Sequence, residues 1–183
     1  MQAAAVPPEL VVRSDNAKLR GRFRAILIMH GSLTIFVLGA LTFISTSDSD
    51  IMRSFSLVWV ILLAGQIFQI AIHSYSWGSR LAISQPLTMD SWGLEFQGQQ
   101  GTVKVPWEAV PEVRQKAVLG NQLLSFQLHP QAMPGENGVE GDPAYWKRYQ
   151  KKGLLLGSIG LVPGFETILP AIQHYSQGRT RIV

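Results

Sequence analysis

Four histidines and no cysteine limit the side-chain chemistry open to this 183-residue chain. Without thiols there is no disulfide scaffold, no thiolate zinc or iron–sulfur ligation and no cysteine nucleophile. Gln66, Gln69 and His73 fall at i, i+3 and i+7, so they share a face if their segment is helical. His30, Gly31 and Thr34 lie in an earlier apolar run. Such residues have two uses. One is a polar site inside a membrane, either bis-histidine haem ligation or a proton path. The other is hydrogen bonding between two packed helices, with Gly31 and Gly39 permitting close approach. The second is the usual fate of polar side chains in spans, so Gly31, Gly39, Gln66, Gln69 and His73 are read as helix-packing residues.

A second constellation runs from Tyr145 to Lys152, where aromatics alternate with four cations. Trp146, Lys147, Arg148, Lys151 and Lys152 suit contact with lipid headgroups or a partner, each cation adding about 1 kcal/mol near an anionic surface. The alternative is a solvated helix whose aromatics cover a core. Elsewhere the catalytic sets are missing: there is no P-loop, no dinucleotide-binding glycine pattern, no nucleophile elbow and no His-Glu-x-x-His. His129 and His174 have no carboxylate at a metal or triad spacing, and Pro111 separates Glu108 from Glu112. The residues therefore assign no catalytic site, no metal and no cofactor, and the chain is read as not an enzyme.

The elements that position these residues follow from composition. Hydrophobic residues make up 46% and charged residues 15%, below the roughly 25% charge of soluble domains. The shortfall is local. Ala25 to Ser45 and Ser54 to Tyr75 carry no formal charge, and about 21 helical residues span roughly 31 Å, a bilayer's hydrocarbon thickness. A short polar segment containing Asp48, Asp50 and Arg53 joins them, which predicts a two-helix transmembrane hairpin. The leader carries Arg13, Lys18, Arg20, Arg22 and Arg24 against Glu9 and Asp15, a net of +3. Positive-inside bias then places the leader and the C-terminal part in the cytoplasm. Phe23, Tyr75 and Trp77 are placed as interface anchors. Most of the overall +4 is thus a topology signal, and no nucleic-acid partner is expected.

From Ser76 onward the texture changes. Alternating apolar residues at Leu87 and Met89, Leu94 and Phe96, and Val103 and Val105 predict three antiparallel strands around the turns at Asp90–Gly93 and Gly98–Gly101. Val113–Val118 and Leu124–Leu128 predict two more around a Gly120-Asn121 turn, and Leu154–Leu156 another. Pro130–Pro143 reads as a long exposed loop whose removal between Ala132 and Gly141 spares folding. Asp142-Pro143 opens a helix that Gly153 closes. Gly164–Ser176 predicts a terminal helix in which Pro170 marks a kink or a first turn.

The run LTMDSWGLEF, the turn GQQG, the step VKVPWEAV and the terminal GFETILPAIQHYS, placed behind a membrane hairpin, resemble the YcxB-like family of bacterial membrane proteins. The cytoplasmic part of that family is similar to a pleckstrin-homology (PH) domain. The resemblance covers most of Ser76–Val183, departs from the family pattern through the insertion Pro130–Lys152, and carries over no active site. It implies a membrane α-helical hairpin plus a mainly β, PH-like split barrel with a C-terminal helix. The expected organisation is a basic cytoplasmic leader at 1–24, a hairpin at 25–75 and a PH-like domain at 76–183 with an inserted loop at 130–143. The expected location is the bacterial inner membrane, multi-pass, with both termini cytoplasmic. The expected function is a non-enzymatic scaffold that uses the 130–143 loop and the basic segment to bind a protein partner or lipid headgroups. The alternative is an accessory subunit of a transport or respiratory complex, assembled or self-associated through the hairpin.

Overall fold

The computed structural model describes residues 8–47, 54–118 and 121–183. The expected acidic turn at Asp48, Asp50 and Arg53, and Gly120, lie outside them. The chain divides into two compact units. One is the helical segment Ala17–Ala82, and the other joins the N-terminal strand to everything from Ile83 onward.

The helical unit contains α1 (Asn16–Ser45) and α2 (Ser56–Leu81). Both are long and apolar enough to cross a membrane, as the uncharged runs predict. Their apolar side chains face outward. Ile35 is 73% exposed and Phe36 65%, and Leu57, Ile61, Ile67 and Phe68 are exposed as well. Of the most apolar stretch of each helix only 6% and 0% is buried, so neither is the core helix of a soluble fold. Hydroxyl side chains keep their donors satisfied internally: Thr34 Oγ1 donates to His30 O at 2.9 Å, Thr42 Oγ1 to Leu38 O at 2.9 Å and Ser79 Oγ to Tyr75 O at 3.0 Å. Tyr75 is exposed, but Trp77 is buried and stacks on Phe23 with ring centroids 5.9 Å apart. Phe23 and Trp77 therefore pair with each other rather than standing out as separate anchors.

The other unit is built on two sheets. The first has strand order β4-β3-β2-β1-β8, from β1 (Glu9–Ser14), β2 (Leu87–Asp90), β3 (Gly93–Gly98), β4 (Gly101–Pro106) and β8 (Leu161–Val162). The second has order β7-β6-β5-β9, from β5 (Glu112–Val118), β6 (Asn121–Gln127), β7 (Leu154–Gly157) and β9 (Arg181–Ile182). Alternation and turn signals in the sequence predicted β2 to β6, and the run Leu154–Leu156 predicted β7. These signals did not predict β1, which the charge pattern assigned to a leader. β1 pairs antiparallel with β2, from Glu9 opposite Asp90 to Val12 opposite Leu87, and Val12 is fully buried. The leader's other cations, Lys18 to Arg24, lie within α1. Neither sheet closes into a barrel, so the expected barrel is corrected to two open sheets and helices.

Two short helices complete this unit. In α3 (Pro143–Lys152), Asp142 is the N-cap, its carboxylate accepting from Ala144 N at 2.8 Å, and Gly153 ends the helix at φ 74°. In α4 (Phe165–Tyr175), Phe165, Ile168, Ala171, Ile172 and Tyr175 form one buried face. Pro170 lies mid-helix rather than in the first turn. Its missing N–H removes one intrahelical bond, and the burial of Ile168 and Ile172 on either side holds the element together. The core joins both sheets and both helices through Leu87, Leu94, Val105, Phe126, Trp146, Leu154 and Ile168.

Candidate interaction site

The polar residues of the two long helices come together in part. His30 Nδ1 lies 3.0 Å from Gln66 Oε1, and the His30 and His73 rings touch at a centroid distance of 5.3 Å. This is interhelical pairing of polar side chains. Haem ligation needs the two rings on opposite faces of the macrocycle, and here they meet each other. Gln69 is exposed instead. A Cβ added at Gly31, Gly39 or Gly65 meets nothing within 4 Å. Gly31 and Gly39, expected to let α1 and α2 approach closely, therefore have no neighbouring atom at that seam.

The basic segment divides differently from its sequence. On α3, Lys147, Arg148, Lys151 and Lys152 are exposed, while Trp146 is only 3% exposed and points into the core. Its Nε1 donates to Ala132 O at 2.7 Å, and Gln150 Nε2 donates to the same carbonyl and to Pro130 O, each at 3.0 Å. Trp146 is thus a core residue and not a surface contact, and the four cations are the solvent face of a helix that it anchors. Tyr149 is buried beside it, its ring 6.4 Å from that of Trp146. Burial pushes the Tyr149 hydroxyl up from its ordinary range, with Arg148 opposing.

The carbonyls that receive α3 belong to the expected loop, so the segment is packed against the β unit rather than free-standing. Val139 is 2% exposed, and Lys104 and Glu140 exchange backbone hydrogen bonds of 2.9 and 2.8 Å, tying the segment to β4. A tight turn closes with Gly135 N donating to Val139 O at 2.8 Å. Gly135, Asn137 and Gly138 all take positive φ, 89°, 50° and 77°. Asn is one of the few residues with a side chain that adopts this conformation readily. A Cβ on Gly138 would meet the Trp92 ring at 2.9 Å, so the bare backbone lets Trp92 lie against the turn.

Trp92 and this turn line a cleft of about 450 Å³. Ala109, Ala132 and Val139 contribute apolar wall, while Met133 and Trp92 are 50% and 46% exposed. Glu108, His129 and Glu136 add polar groups. Trp92 is held from below: the Asp90 carboxylate accepts from Trp92 N at 2.8 Å and Gly93 N at 3.0 Å. Gly93 is required there, because a Cβ would lie 2.1 Å from Val105 O. Trp107 Nε1 fixes the same turn by donating to Asp90 O at 2.8 Å.

Neither families, curated proteins nor solved structures match this chain. The site is therefore read from its own geometry. Sequence reasoning placed Asp90–Gly93 correctly as a turn but passed over Trp92, Met133 and Glu136. One signal was present: an indole at a turn, outside the alternation of its strands, has no assigned place in the core.

Proposed function

We propose that the chain is a membrane-anchored, non-enzymatic interaction protein, in which the α1–α2 hairpin crosses the bilayer and carries a PH-like module at its cytoplasmic face. The observation that carries this reading is the outward-facing apolar surface of both helices, with Ile35, Phe36, Leu57, Ile67 and Phe68 exposed. In water such a surface is unfavourable by roughly 25 cal/mol per Å², and a bilayer removes that cost. The chain's connectivity supports the topology. β1 precedes α1 and β2 follows α2, and the two pair in one sheet, so a spanning hairpin must return to the side it left. The cations at the N-terminal end of α1 and just before it, from Arg13 to Arg24, favour the cytoplasmic side. Two sheets capped by a terminal helix suit a PH-like module, and the Trp92 cleft suits recognition of a partner.

A second reading has its own support. Gly31, Gly39 and Gly65 have open space where a Cβ would sit, and Gln69 is exposed. Small and polar residues facing away from the hairpin's own seam suit packing against another protein's spans, as in an accessory subunit or a self-associated hairpin.

Membrane fractionation tests the first reading. The chain is expected to stay with membranes through alkaline carbonate extraction and to leave them in mild detergent; release by carbonate contradicts it. Purification in the same detergent at native expression level then separates the two readings. Under the first, Gln69→Leu leaves co-purifying proteins unchanged, whereas under the second it removes them.

A further inference from the structure

The Trp92 cleft has a charge character that selects its occupant. An apolar wall meets carboxylates at the rim, Glu108 and Glu136. A second, smaller hollow that Trp92 also lines carries Glu9, Asp90 and Glu95 together with Lys104, three carboxylates against one cation. The cations nearby are already engaged: Lys104 lies 3.6 Å from Glu95 and 3.8 Å from Glu140, and Arg179 is paired with Glu108. Glu136 has no ion pair among the described residues. With Glu108 held by Arg179, Glu136 is the carboxylate left to meet a partner's cation.

A long aliphatic stem ending in a cation matches such a surface, with the stem on the apolar wall and Trp92 and the head at the carboxylates. Two hollows that share one indole, each with carboxylates in excess, fit successive side chains of an extended segment better than a single headgroup. At the cleft itself the unpaired Glu136 carboxylate disfavours an anionic headgroup. We infer that the Trp92 cleft receives the lysine or arginine side chains of an extended basic segment of a partner protein. This rests on the reading of the chain as an interaction module and names the chemistry of its partner.

The test uses the full chain in detergent micelles and a fluorescein-labelled eight-residue peptide alternating arginine and serine, followed by fluorescence anisotropy. The expected result is saturable binding that weakens with salt and falls about tenfold in Glu136→Gln and in Trp92→Leu. A matched peptide alternating glutamate and serine is expected not to bind. Absence of saturable binding, equal affinity in Glu136→Gln, or equal binding of the glutamate peptide overturns the inference. Glu136 is exposed and outside the core, so its variant stays decisive even if Trp92→Leu disturbs the fold. Because the assay contains no bilayer, its failure removes the cleft's assignment and leaves membrane anchoring to the carbonate extraction.

Discussion

Tyr149 and Gln66 show how single polar groups behave in the two units. The Tyr149 hydroxyl is buried without a hydrogen-bond partner among the described residues. An unsatisfied buried hydroxyl costs about 1 kcal/mol or more. Tyr149→Phe is therefore expected to raise stability by about 1 kcal/mol, read from chemical denaturation in detergent. Because burial raises the hydroxyl's titration point above its ordinary 10, the folded state holds the phenolic proton more tightly than the unfolded chain does. That contribution is complete below pH 10 and is lost as pH rises through the raised value, so the variant should also flatten the alkaline loss of stability. Between the two long helices, Gln66 meets His30 at 3.0 Å. Gln66→Leu is expected to weaken the helix pair by about 0.6 kcal/mol, measured as a lower thermal midpoint of the hairpin in detergent.

Among the elements, the Pro130–Pro143 segment and β1 matter most because their roles were least legible in the sequence. The segment is rich in Pro and Gly, which reads as an exposed connection, yet its backbone carbonyls anchor Trp146 and Gln150 and its Val139 enters the core. Backbone acceptors leave no trace in side-chain patterning, so hydropathy alone did not reveal this. Deleting Ala132–Gly141 is expected to abolish cooperative unfolding of the β unit, as seen by near-ultraviolet circular dichroism and a thermal scan; a preserved transition would contradict the packing described. β1 escaped notice for a related reason. Its run Glu9–Ser14 is short and sits in a leader whose basic residues dominate, and its partners lie beyond two long helices. By contrast β2 to β7, the Asp142 cap and the buried face of α4 were legible, because alternation, capping and helical periodicity are local signals. Of the candidate site residues, the contact of His30 with His73 followed from their similar depth in an antiparallel hairpin, whereas Gln66 rather than Gln69 bonds His30. The burial of Trp146 did not, since an aromatic beside four cations reads equally well on either face of a helix.

At the scale of the whole molecule, β1 makes the β unit discontinuous in sequence. Residues 83–183 expressed alone lack the strand between β2 and β8, and they are expected to be unfolded or aggregated. Joining residues 8–15 to Ile83 through a short flexible linker should restore a cooperative fold, checked by circular dichroism. The same pairing constrains topology, because a hairpin whose two outer ends meet in one sheet cannot leave them on opposite sides of a membrane. The absence of cysteine makes the most direct test available on the native background. Single substitutions Ser49→Cys, between the two long helices, and Gln99→Cys, in the β3–β4 turn, are exposed in intact cells to a membrane-impermeant thiol reagent. The account predicts that Ser49→Cys is labelled in intact cells and that Gln99→Cys is labelled only after the membrane is opened. Labelling of both from the same side would contradict a spanning hairpin that carries its β unit at the cytoplasmic face.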